Sequence, residues 1–85
     1  MPDPSPITPA TVRSLVGSIV PDLPESDDAE LLFSGVIDSF TLMEVTDMFE
    51  QELKIQLAPA DMKAENFASL AAMARLLSGK AAGNA

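Results

Sequence analysis

Gly35-Val36-Ile37-Asp38-Ser39-Phe40-Thr41-Leu42-Met43-Glu44-Val45-Thr46-Asp47-Met48-Phe49-Glu50-Gln51-Glu52-Leu53 passes from irregular chain into helix in a single step. From Asp38 or Ser39 onward, Leu42, Val45, Thr46, Phe49 and Leu53 share one face at helical spacing, predicting a helix to about Leu53. Asp38 and Ser39 both suit a helix start, and an acid there complements the helix dipole. Before Asp38 no helical period persists. Pro21 to Asp38 is an acidic stretch, with Glu25, Asp27, Asp28 and Glu30, followed by Leu31, Leu32, Phe33, Val36 and Ile37 around Gly35. The reading is a long loop that lays several apolar side chains on the core. Loops of that length in a small domain are commonly functional. The acids lack the ligand spacing and mid-loop glycine of an EF-hand, so a solvated loop is expected and no metal site.

Upstream of that loop, Thr8 is placed to cap a helix with Pro9 at its first position. Val12, Leu15, Val16, Ile19 and Val20 then line one face until Pro21 and Pro24 end it. Downstream, Lys54-Ile55-Gln56-Leu57 reads as a linker with two buried anchors. Pro59 to Lys63 reads as a short helix, interrupted at Asn66 and Phe67. Ser69 caps a last helix with Leu70, Met73, Ala74 and Leu77 inward, ending at Ser78-Gly79. The expected fold is all-α: a small bundle of three main helices plus one short helix, with a long loop between helices one and two. Residues 1–7 are expected to form a disordered proline-rich tail, 8–78 the domain, and 79–85 a second disordered tail.

Composition narrows the function. In 85 residues there is room for one domain. The chain has no Cys and no His, which removes disulfides, thiolate zinc sites, and the commonest general base and metal ligand. Catalysis within this chain is therefore not expected. Thirteen acids against five bases give a net charge of −8, which repels nucleic acid and anionic lipid and favours partners with basic patches. No apolar run is long enough to span a bilayer, and the first residues do not have the pattern of a secretory signal. A cytoplasmic monomer is expected.

Ser39 stands where a loop becomes an acidic helix. The first amides of a helix lack helical acceptors, and their dipole favours an anion such as a phosphodiester. On these residues alone, a helix cap is the plainer reading of Ser39, because capping serines are far commoner than modified ones. Asp38, Glu44, Asp47, Glu50 and Glu52 give this helix one sign of charge with no Lys or Arg. That forgoes the stabilisation of mixed i,i+4 pairs and points to docking of a basic partner. Phe40 and Met43 fall off the core stripe. Met43 suits an adaptable contact surface. For Phe40 two placements are open: exposed beside Ser39, or packed under the loop against Ile37 or Met62.

The segment Gly35-Val36-Ile37-Asp38-Ser39-Phe40 resembles the attachment motif of acyl and peptidyl carrier proteins. Glu44 one turn into the helix, Glu50-Gln51-Glu52-Leu53 with Ile55 and Leu57, and the Asn66-Phe67 step extend the resemblance over roughly residues 8–78. It implies 4′-phosphopantetheine, taken from coenzyme A by a phosphopantetheinyl transferase, on Ser39. Asp38 would lie beside that reaction and help hold the transferase's Mg²⁺. Phe40, Met43, Glu44, Asp47 and Glu50 would form the docking surface. Cargo would be held as a thioester on the arm's thiol, and partner enzymes would supply the catalytic groups. Phe40 stands where fatty-acid carriers usually have Leu, and Thr41 where they often have an acid. Asp38-Ser39-Phe40 is thus more similar to the D-alanyl and other aminoacyl carriers. That implies loading by an adenylating ligase and delivery through a downstream acyltransferase. A fatty-acid or polyketide carrier is the alternative, and an acidic adaptor with an unmodified Ser39 the alternative from another class.

Overall fold

A computed structural model describes residues 7–83, with side chains for 7–80. Residues 1–6 and 84–85, which hold most of the N-terminal tail and the end of the C-terminal one, lie outside the described residues. Helix α1 spans Pro9–Gly17, α2 Ser39–Leu53, α3 Ala64–Phe67 and α4 Leu70–Gly83, with a 3₁₀ turn at Pro59–Asp61. The described residues hold no strand, in keeping with the all-α expectation.

The core joins faces that each helix exposes at its own period. Val12 and Val16 of α1, Val45 and Phe49 of α2, Phe67 of α3, and Leu70, Met73, Ala74 and Leu77 of α4 are buried. Leu31 and Ile37 of the long loop and Ile55 after α2 complete it. Helix α4 is the hub, packing on both α1 and α3, while α2 leans on α1. Ser69 caps α4 through its hydroxyl, which accepts the Ala72 amide at 3.1 Å.

Several boundaries differ from the sequence expectation, each for a local reason. Helix α1 stops at Gly17, not at Pro21. The Ser18 hydroxyl donates to the Leu15 carbonyl at 2.7 Å, and Ile19 and Val20 continue the apolar face from a turn whose amides bond to Val16. Asn66 and Phe67 do not interrupt a helix but belong to α3. Asn66 donates its side-chain amide to the Asp61 carbonyl at 2.9 Å, tying α3 to the preceding turn. Helix α4 runs through Ser78-Gly79 to Gly83. Lys80 in this extension reaches Asp61 at 2.6 Å, and the Ser78 hydroxyl donates to the Ile7 carbonyl at 2.8 Å. Ile7 itself, placed with the tail by the sequence, packs half-buried against the core.

The long loop has no helix of its own, as expected, yet it is tightly stitched. Leu31 donates its amide to the Ala68 carbonyl at 2.6 Å, and Ala71 donates to the Asp27 carbonyl at 2.9 Å. Arg13 of α1 grips the carbonyls of Pro24 and Glu25 at 2.7 and 2.8 Å and the Asp27 carboxylate at 2.9 Å. The acidic stretch is therefore only partly a solvated run. Phe33, expected to fold back with its neighbours, is instead 83% exposed at the loop's tip.

Candidate functional site: the start of helix α2

The last turn of the loop sets the entry to α2. Glu30 accepts the amides of Phe33 and Ser34 at 2.6 and 2.7 Å, and the Ser34 hydroxyl returns to the Glu30 carbonyl at 2.8 Å. Gly35 follows with φ 87°, a left-handed conformation in which an L side chain is strained. Ile37 then re-enters the core and donates its amide to the Leu31 carbonyl at 3.0 Å. This fixes the direction in which the chain arrives at Asp38.

Asp38 is the N-cap. Its backbone is extended and its carboxylate accepts the Thr41 amide at 2.8 Å. That bond, with help from the Thr41 side chain, holds the Asp38 carboxyl below the usual carboxylate range, so it is ionised at neutral pH. Ser39 is the first helical residue rather than the cap. It is exposed, and its hydroxyl makes no hydrogen bond among the described residues. The two open readings of the sequence thus separate: Asp38 does the capping, and Ser39 is left with a free hydroxyl beside an anionic neighbour. Once an external base takes its proton, such a hydroxyl is free to attack a phosphoryl group.

The five docking candidates also converge. Phe40, Met43, Glu44, Asp47 and Glu50 all line one shallow groove of about 430 Å³ along α2, closed on its far side by Leu57 and Met62. Phe40 and Met43 are 71% and 67% exposed, which settles the placement of Phe40 away from the core and leaves Met62 facing it across the groove. Glu50 also acts within the fold, where its carboxylate accepts the Leu57 amide at 2.9 Å and pins the segment after α2. Asp47 accepts the Gln51 side-chain amide at 3.3 Å. Glu44 is exposed and Asp47 is accessible on the same side of the helix.

Three residues that shape the groove or the long loop have no motif or period that marks their place, although the sequence offers Met62 as one neighbour of a buried Phe40. Leu57 was expected to be a buried anchor but is half-buried on the groove wall, and Met62 brings an apolar contribution from the end of the 3₁₀ turn. Nothing in their local spacing marks them, because the path from Lys54 to Met62 depends on Glu50. Lys54 adopts φ 56° at the end of α2 and turns the chain back towards it. Arg13 is the third, a lone base in an apolar helix whose targets are mainly carbonyls that no motif identifies.

A comparison with curated proteins finds no match. A comparison with protein families finds the one described as the phosphopantetheine attachment site, matching residues 10–77. That span runs from the first turn of α1 to the buried Leu77 of α4 and takes in the loop, α2 and the groove. With most of its length matched, the chain belongs to the phosphopantetheine attachment site family, the acyl and peptidyl carrier proteins that bear a covalent 4′-phosphopantetheine.

Proposed function

We propose that Ser39 is the residue that carries the arm and that the cargo is an aminoacyl group, placed there by an adenylating ligase. The observation that supports the first part is the free, exposed hydroxyl at the first position of α2. The fit to a phosphodiester is good. The amides opening α2 have no helical acceptors, no core contact restrains the side chain, and Gly35 and Ile37 fix the backbone behind it. The ionised Asp38 carboxylate lies one residue away, available to the transferase's Mg²⁺. When bound, the arm supplies a thiol, and with it a thioester activated for acyl transfer. The chain contributes a presented hydroxyl, a stiff entry loop and a docking face, and its partners bring the base and the oxyanion donors. The absence of His and Cys accords with that division.

The groove of Phe40, Met43, Leu57 and Met62, rimmed by Glu44, Asp47 and Glu50, is the surface for transferase, ligase and acyltransferase. Its acids steer basic partners, and its exposed apolar side chains supply contact area. The aminoacyl assignment rests on Asp38-Ser39-Phe40-Thr41, which resembles aminoacyl rather than fatty-acid carriers. A fatty-acid or polyketide carrier is the competing reading.

The test is intact mass after incubation with coenzyme A, Mg²⁺ and a broad-specificity phosphopantetheinyl transferase. A gain of one phosphopantetheine in the wild type and none in Ser39→Ala is expected. A folded chain that gains nothing, beside a control carrier that does, would return the chain to the acidic adaptor reading.

A further inference from the structure

A second cleft, of about 480 Å³, opens beside the start of α2 and shares no residue with the docking groove. Its walls are the turn after α1, with Ile19, Val20 and Asp22, the end of the long loop at Ser34 to Val36, and Thr41 from the first turn of α2. Both irregular walls are held in place. The amides of Ile19 and Val20 bond to Val16 at 2.9 and 2.8 Å, and Glu30 clamps the Ser34 amide at 2.7 Å. The cleft is therefore preformed, and it adjoins the turn that bears Ser39.

Asp22 is the one charged side chain lining it. Several acids nearby are engaged within the fold, and those that are not, Glu25, Asp28 and Glu44, do not line the cleft. Asp27 pairs with Arg13, Glu30 holds two amides, Asp38 caps α2, and Glu50 holds Leu57. Asp22 makes no hydrogen bond and no ion pair among the described residues. A free carboxylate set against Ile19, Val20 and Val36 is complementary to a small ligand with one cationic and one apolar group.

An α-aminoacyl thioester is such a ligand. Its ammonium sits one carbon from the reactive carbonyl and its side chain is apolar in the simplest amino acids. We infer that the cleft receives the aminoacyl end of the loaded arm, with Asp22 accepting the ammonium. The inference rests on Ser39 bearing the arm and deepens the aminoacyl reading of its cargo. The pairing also has a chemical consequence. A neutral amine is a nucleophile that can attack thioester carbonyls, whereas an ammonium is not. A carboxylate neighbour favours the protonated form, so cargo parked at Asp22 holds less of its amine in the nucleophilic form until a partner draws it out. A simple acyl group has no such charge and gains nothing from Asp22.

The experiment loads Ser39 with the alanyl and isobutyryl thioesters of phosphopantetheine, transferred from the matching coenzyme A thioesters. The two cargoes differ in having an ammonium or a methyl group at one position. Amide spectra are recorded against the arm bearing a free thiol. The alanyl form is expected to shift Asp22, Gly35, Val36 and Thr41, the isobutyryl form to shift them far less, and Asp22→Asn to erase the difference. The alanyl amine should titrate about half a pH unit higher in the wild type than in Asp22→Asn, the size expected for one close charge near water. Equal shifts for both cargoes, shifts confined to Phe40 and Met62, or an unchanged amine titration in Asp22→Asn would overturn the assignment. Failure of Ser39 to load at all is seen earlier, by mass, and would overturn the attachment assignment itself.

Discussion

Arg13→Met should remove about 2 kcal/mol of stability, although no motif and no core contact marks this residue. The substitution keeps the apolar stem and deletes the guanidinium fork. Two of its three bonds go to backbone carbonyls, of Pro24 at 2.7 Å and Glu25 at 2.8 Å. Each such bond from a charged donor to a partly shielded carbonyl is worth about 1 kcal/mol net, below the full range because the Arg13 side chain is 32% exposed. The ion pair to Asp27, whose side chain is 44% exposed, adds at most about 0.5 kcal/mol after solvent screening. For a domain of this size, about 2 kcal/mol corresponds to a fall in melting temperature of roughly 10 °C. Three measurements separate this account from a simple salt bridge. Asp27→Asn should cost far less than Arg13→Met. The Arg13→Met deficit should persist at high salt, since carbonyls are not ionic partners. Amide exchange at Ala71, which donates to the Asp27 carbonyl at 2.9 Å, should speed up in Arg13→Met. A deficit under about 0.5 kcal/mol, or one that vanishes with salt, would refute the claim that Arg13 fastens the loop through its backbone.

Ser39→Ala should melt within about a degree or two of the wild type, because the Ser39 hydroxyl makes no hydrogen bond among the described residues and Ala is the better helix former, while Asp38→Ala should melt clearly earlier through loss of the cap. The opposite order in thermal melts would show that Ser39, not Asp38, starts the helix. Acid should destabilise the fold in a defined way. The carboxyls of Asp61, through Lys80 and the Ala58 amide, and of Asp38, through Thr41, are held below their ordinary range. Their contribution is fully present above the unfolded Asp value of about 4 and is lost as pH falls through the lower folded values. Lys80→Met should therefore flatten the acid limb of a stability–pH curve, and an unchanged limb would discount the Asp61–Lys80 contact. Added NaCl should raise the melting temperature between low and moderate salt, since a charge of −8 repels itself more than the ion pairs of Arg13 and Lys80 attract. A fall over that range, measured by calorimetry, would contradict this.

The fold was legible wherever apolar spacing ran uninterrupted. Leu70, Met73, Ala74 and Leu77 are buried as their period requires, and Val45 and Phe49 likewise. It was less legible where side chains bond to distant backbone. The continuation of α4 past Gly79 depends on Lys80 meeting Asp61, and the shape of the long loop depends on Arg13 and Glu30. Those contacts follow no helical period and leave no trace in the spacing. Phe33 shows the same limit from the other side. Its apolar neighbours Leu31 and Ile37 are buried, but Glu30 holds the Phe33 amide at 2.6 Å in a turn that leaves its ring outside. At the site, the residues read from the motif came together on one end and one groove of α2, whereas Leu57 could be placed on the groove wall, and Met62 opposite an exposed Phe40, only once the turn at Lys54 was known.

That turn couples the proposed docking surface to the fold. Glu50 is one of the proposed docking acids, yet its carboxylate also holds Leu57, which forms the opposite wall of the groove. A partner base that competes for Glu50 would therefore weaken the Leu57 tether and let the groove widen around Phe40 and Met43. Among the described residues, Glu44 and Asp47 carry no tether to another segment, so a base meeting them changes only the electrostatic attraction. The three acids are then not interchangeable. Neutralising Glu44 or Asp47 should act mainly on the association rate and its salt dependence. Neutralising Glu50 should also alter the groove itself, because a glutamine at that position is a weaker acceptor for the Leu57 amide.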